Sequence, residues 1–120
     1  MSFKWKNAVW LALDDCGDNP ATQDVYSRVK KYRQLAEHQL EMDNRRVMLR
    51  YKNTVRNILN GFRRDGIIEG AKENSQLKYG EYNWIGVCAK KESRKEIRKE
   101  VENGLPLEYA LKKPKYFSKG

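Results

Sequence analysis

Cysteine, histidine and proline are scarce in this chain. Two of its 120 residues are Cys, one is His and three are Pro. Cys16 and Cys88 stand far apart, and neither belongs to a CxxC or CxxH arrangement, so no zinc ligand set forms around them. A disulfide between them stays open, but two core-facing thiols in a reducing cytosol suit the pattern better. His38 is the sole histidine and reads as a surface or helix-end residue, since no Cys or carboxylate stands at metal spacing around it. A catalytic triad would therefore depend on that one base, and no Ser or Cys sits in a nucleophile-elbow context. There is no glycine-rich phosphate loop. Glu69 and Glu81 lack the neighbouring carboxylate and lysine that a metal nuclease needs, and read as solvated edge residues. The chain is thus expected not to be an enzyme and to need neither metal nor cofactor.

Long apolar runs are missing as well. No stretch approaches the roughly 18 residues of a membrane span. The N-terminal MSFKWKNAVWLAL is interrupted by Asn7, runs into DDCGD and lacks a small-residue cleavage site, so it reads as a helix and not a signal peptide. A cytoplasmic protein is expected, associated with the nucleoid in a bacterial or phage setting.

Positive charge is abundant. The formal net charge is +9 and the pI about 9.6. This balance favours polyanions: nucleic acid first, then an acidic protein or membrane surface. Hydrophobic residues make up 39% of the chain, enough for the core of one small domain.

Periodicity orders the chain. Trp5, Val9, Ala12, Leu13 and Cys16 share one helical face within Phe3 to Cys16, and Gly17 ends that helix. DNPAT is turn chemistry. A second helix begins with Thr22 as N-cap and buries Val25, Tyr26, Val29 and Tyr32. LAEHQL adds a turn or two, with Leu35, Ala36 and Leu40 inward, and EMDNRRVMLR reads as an irregular basic connector anchored by Val47, Met48 and Leu49. The third helix begins near Asn53 or Thr54, buries Val55, Ile58, Leu59 and Phe62, and ends at Asp65-Gly66. Gly66 to Gly70 reads as a short strand, Lys72 to Gly80 as a polar loop, and Tyr82, Trp84 and Ile85 as a second strand. From Ala89 onward KKESRKEIRKEVEN is almost all charge and reads as a solvent-exposed helix, closed by Asn103-Gly104 before Pro106 opens LEYALKK. PKYFSKG is basic and expected to fray.

The expected fold is α+β, mainly α: a winged helix-turn-helix of three helices and a C-terminal β-hairpin wing, with a helical C-terminal extension. Residues 1–88 form the nucleic-acid-binding domain and 89–120 a charged helical arm for docking or dimerisation. In such a fold the third helix seats its apolar stripe on the first two and presents its other face to a major groove. Arg45, Arg46, Arg50 and Lys52 would meet phosphates where that helix begins, together with Thr54 and the free amides of the helix N-terminus. Asn53, Arg56, Asn57 and Asn60 are side chains able to read base edges. Arg63 and Arg64 would suit the far strand's phosphates. The wing offers Lys72, Asn74, Gln76, Lys78 and Tyr79. A solvated helix usually mixes acids with bases, whereas this one has no acid before Asp65.

WKNAVWLALDDCG, ATQDVYSRV, YKNTVRNILNGFRRDGIIEG and GEYNWI together resemble the winged helix-turn-helix domains of restriction and other mobile-defence systems. The resemblance covers roughly Phe3 to Gly86. It implies binding to double-stranded DNA as a targeting module or a small regulator, including of transcription. The chain departs from that pattern in its long connector between the second and third helices and in lacking an attached catalytic domain.

Another function class competes. Winged helices also act as protein-interaction modules, so the chain could be a subunit or inhibitor of a larger complex. Ile97, Val101, Leu105, Leu107, Tyr109 and Leu111 are too many apolar residues for a free tail; they must cover this domain, a second copy in a homodimer, or another protein. RNA ranks lower because the aromatics fall on buried stripes. A membrane surface ranks lowest because the most basic helix lacks a wide apolar face.

Overall fold

The computed structural model describes residues 3–35 and 49–112. The order is α1 (Trp5–Asp15), α2 (Thr22–Tyr32), α3 (Arg50–Arg64), β1 (Ile68–Glu69), β2 (Asn83–Trp84), a short 3-10 turn (Gly86–Ala89), α4 (Lys91–Glu102) and α5 (Leu107–Ala110). The protein is mainly helical with a small two-stranded antiparallel sheet. Among the described residues no helix is long and apolar enough to cross a membrane.

The first helix departs from its expected single apolar stripe. Asn7 to Leu13, seven consecutive residues, are all buried. An amphipathic surface helix cannot do this; a central helix can. α2 and α3 cover one side, α4 another, and Trp84 packs on Trp10 with ring centroids 5.7 Å apart.

α2 buries Val25, Tyr26, Val29 and Tyr32, as their spacing requires. Its N-cap is Ala21 and not Thr22. The Thr22 hydroxyl instead lies 3.2 Å from the Gly80 carbonyl and 2.9 Å from the Tyr82 hydroxyl. The Thr22 amide bonds the Gly80 carbonyl (2.8 Å) and the Tyr82 amide bonds the Pro20 carbonyl (2.9 Å), pairing Ala21 with Glu81. The DNPAT turn therefore leads into an extended edge that ties the start of α2 to the chain before β2.

α3 buries Tyr51, Val55, Leu59 and Phe62, with Ile58 half-buried. It starts at Arg50, earlier than Asn53 or Thr54, because the Lys52 and Asn53 amides already bond the Leu49 carbonyl. Thr54 consequently caps nothing; its hydroxyl donates to the Arg50 carbonyl (3.2 Å), one turn back. At the other end the Ile67 amide bonds the Phe62 carbonyl (3.0 Å) around Gly66, whose φ of 76° needs glycine. That turn aims Ile67 and Ile68 into the core.

The strands are two residues each, shorter than Gly66–Gly70 and Tyr82–Ile85. Ile68 faces Trp84 and Glu69 faces Asn83. At Gly86 (φ 60°) a Cβ would lie 2.7 Å from the Gly66 carbonyl oxygen, so the backbone passes where only glycine fits.

α4 corrects the expectation of a solvated charged helix. Ser93, Arg94, Ile97 and Val101 are buried against the rest of the fold. α1 ends in Asp14 and Asp15, carboxylates placed against the negative end of its own dipole. Two arginines of α4 offset them. Arg98 reaches Asp14 (2.8 Å), Asp15 (3.0 Å) and the Tyr32 hydroxyl (2.7 Å). Arg94 stacks over Trp84, bonds the Cys88 carbonyl (2.9 Å) and pairs with Asp18 (2.6 Å). The Asp18 carboxylate is exposed, so solvent screens that pair.

Beyond Gly104 the chain returns to α1. The Asn7 amide donates to the Leu105 carbonyl, and its oxygen accepts from the Leu107 amide, both at 3.1 Å. Ile97, Val101, Leu107 and Ala110 are buried, Leu105 and Leu111 half-buried, and Tyr109 is exposed. The described part of the 89–120 arm thus covers its own domain. Both cysteines are free. Burial pushes the Cys88 thiol up to about 11, which keeps it protonated and unreactive at neutral pH.

Candidate nucleic-acid interface

The polar surface of α3 divides into two stripes. Lys52, Arg56, Asn60 and Arg63, spaced four, four and three apart, line a groove of about 580 Å³. Its other walls are Ala21, Thr22, Gln23 and Tyr26 from the start of α2, and residues 70–72 and 79–82 from the segment between the strands. Asn53, Asn57 and Arg64 lie around the helix from that stripe; Asn57 and Arg64 are exposed and Asn53 is half-buried. Arg50 is exposed at the first helical residue.

The groove residues differ in what they already hold. Arg63 is committed. Its Nε and Nη2 each donate to one oxygen of Glu73 at 2.8 Å, and its Nη1 donates to Asn60 Oδ1 at 3.0 Å. The expectation that Arg63 reaches out to a phosphate is corrected on this ground: a bidentate carboxylate occupies its fork. Glu73 also accepts the Gly70 amide at 2.8 Å. Asn60 carries a related correction. Its oxygen accepts from Arg63, so its amide enters the groove chiefly as a donor, poorly suited to the donor-and-acceptor pairing with adenine.

Arg56 is exposed and gives one Nη2 hydrogen to the Tyr79 hydroxyl at 2.8 Å. Tyr79 is 83% exposed on the opposite wall. Lys52 lies over the Tyr26 ring, 5.4 Å from its centroid. Lys72 and Lys78 are exposed on the connecting segment, where Asn74 and Gln76 are tied into local turns. Among the described residues no carboxylate lies at ion-pair distance from Lys52, Arg56, Arg64, Lys72 or Lys78. Arg45, Arg46 and His38 lie outside the described residues, as do Ala36, Leu40, Val47, Met48 and the PKYFSKG segment.

No local sequence pattern marks the groove. Thr22, Gln23, Tyr26 and Tyr82 contribute to it, yet each follows the pattern of a helix start or a core stripe. Nor does local pattern mark Glu73, whose role depends on a tight turn that brings it back to Arg63.

The Arg63–Glu73 pair sets a pH dependence. The two-pronged bond from Arg63, then the Gly70 amide, hold the Glu73 carboxyl at about 2, down from its ordinary 4.5. A carboxyl depressed on folding stabilises the fold above its unfolded value and loses that contribution as pH falls through its folded one. The stability difference between the protein and a Glu73→Gln variant is therefore expected to be full above pH 4.5 and to vanish near pH 2. Urea unfolding at several pH values measures it; a difference that persists unchanged at pH 2 would refute the assignment.

Comparison of the chain with protein-family models, with curated proteins and with solved structures returns no significant match. Among the described residues no three His, Cys, Asp or Glu side chains gather where they could hold a metal ion. What the interface can do follows from its own chemistry. It offers cations that have no acidic partner among the described residues, and amide side chains, on α3 beside a groove with aromatic walls.

Proposed function

We propose that this protein is a winged helix-turn-helix that binds duplex DNA, in a regulatory or targeting role in the cytoplasm. The order of three helices followed by a hairpin-like pair of strands supports that fold, as does the edge pairing of Ala21 with Glu81 beside the sheet. The observation that carries the functional reading is the division of the arginines. Arg94 and Arg98 point inward onto Asp14, Asp15 and Asp18. Arg56 and Arg64, with Lys52, Lys72 and Lys78, meet no acid among the described residues. A fold that pairs its inward-facing arginines with acids, and leaves five cations on another face without an acidic partner among the described residues, suits that face to an anion.

On this reading α3 enters the major groove. Asn53 and Asn57 approach base edges and Arg64 meets the far strand's phosphates, while the segment bearing Lys72, Lys78 and Tyr79 meets the neighbouring backbone. Arg45, Arg46 and Arg50 would flank the start of the helix. The competing role as a protein-interaction module drew its support from the arm's apolar residues. Of those, Ile97, Val101 and Leu107 are buried within the chain, Leu105 and Leu111 are half-buried and Tyr109 is exposed, which lessens the support for that role.

A salt titration tests the reading. Each neutralised phosphate contributes about −0.9 to the slope of log K against log salt, so the five cations on this face imply a slope of about −4 to −5. Fluorescence anisotropy with a labelled random-sequence duplex measures it. A flat salt dependence, or no binding at low salt, would remove the proposal.

A further inference from the structure

The groove between α3 and the segment joining the strands has a shape and charge that the duplex alone does not explain. It is a concavity of about 580 Å³, within the range of small-ligand sites, on a face otherwise suited to a broad cylinder. Beyond the self-satisfied Arg63–Glu73 pair, three cations line it: Lys52, Arg56 and Lys72. One carboxylate opposes them, Glu81, and one of its oxygens accepts the Lys78 amide at 2.8 Å. The excess of two positive charges matches a phosphomonoester, which carries about −1.5 to −2 at neutral pH, better than a backbone diester with its single charge. The remaining wall is aromatic: Tyr26, Tyr79 and Tyr82.

Arg56 is prepared for such a ligand. Its hydrogen bond to Tyr79 crosses from α3 to the facing segment and draws the guanidinium toward the groove. Only one of its five N–H donors is used in that bond, so a phosphate can take the others without displacing the tyrosine. Holding the side chain in place beforehand lowers the entropy lost on binding. Tyr79, 83% exposed, offers a ring face on which a base can lie.

We infer that this groove binds a nucleoside monophosphate unit, its phosphate on Arg56, Lys52 and Lys72 and its base against Tyr79. The inference deepens the reading of this face as a nucleic-acid surface and rests on it. The unit has two sources of the same chemistry: a free nucleotide, or the 5′-phosphorylated end of a strand.

The test uses the full chain and four probes: thymidine 5′-monophosphate, thymidine, and one duplex with and without 5′-phosphates. Titrations are followed by calorimetry and by amide shifts at Gly70, Lys72 and Tyr79. The monophosphate is expected to bind saturably and thymidine at least about tenfold more weakly. Arg56→Ala should weaken the monophosphate by about tenfold or more, and Tyr79→Phe by a few-fold through loss of the positioning bond. Lys95→Ala on α4, which removes the same charge elsewhere, should change nothing. Preference for the phosphorylated duplex assigns the site to strand ends; equal affinity for both duplexes, with the monophosphate bound, assigns it to the free nucleotide. If the duplexes bind and the monophosphate binds no better than thymidine, the inference falls and the duplex reading stands. If the monophosphate binds and neither duplex does, the duplex reading falls instead. Equal weakening by Arg56→Ala and Lys95→Ala would reduce the effect to bulk charge and overturn the site.

Discussion

Replacing Arg56 and Arg64 together by glutamate is expected to weaken duplex DNA binding by about a hundredfold or more and to leave the thermal midpoint almost unchanged. Both side chains are exposed. Neither has an acidic partner among the described residues, and Arg56 gives up only one hydrogen bond to a tyrosine that is itself in solvent. Stability surrendered is therefore small. The loss in binding is large because each reversal removes an attraction and adds a repulsion against the same phosphates. The salt slope should fall by about 2 as two counterion-releasing contacts vanish. A matched variant reversing Lys95 and Lys99 of α4 changes net charge equally and should lose far less. Anisotropy titrations of the three proteins at one ionic strength compare them directly. Similar losses in both variants would mean that net charge, and not the α3 face, governs binding.

The second large effect concerns stability. Asn7→Ala is expected to destabilise the fold by about 3 kcal/mol, because it strips partners from the Leu105 carbonyl and the buried Leu107 amide at once. For a chain of this size that is a fall of about 10 °C in Tm. Asn7→Leu keeps the branched shape but supplies neither donor nor acceptor, so it should fail to rescue. This separates hydrogen bonding from packing. Urea denaturation gives the energies, and limited proteolysis around Gly104 reports whether the arm has come loose. A leucine variant as stable as the parent would show that Asn7 is filler.

Much of the architecture could be read from local pattern. Val25, Tyr26, Val29 and Tyr32 behave as their spacing demands, and so do Val55, Leu59 and Phe62. Gly66 and Gly104 stop helices where the sequence places them. The failures share one cause: the deciding partner lies far away along the chain. Asn7 reads as an interruption of an apolar run, and its meaning appears only when residues 105 and 107 arrive beside it. The charges of α4 read as a solvated face, because nothing nearby announces that Asp14, Asp15 and Asp18 wait at the end of α1. The site shows the same limit. The cationic character of α3 was plain from Arg56, Arg63 and Arg64. That Arg63 is already satisfied by Glu73, and that Lys52 and Arg56 look across at Tyr79, needed the turn between the strands.

A central first helix imposes an order on how the molecule is made. Within this chain α1 is made well before α4, which packs against it, and Asn7 needs backbone made about a hundred residues later. Closure of so wide a loop is slow compared with forming the helices themselves. Until it occurs, one flank of the nascent α1 stays greasy and available to chaperones, while the basic face of α3, assembled from nearer contacts, is already complete.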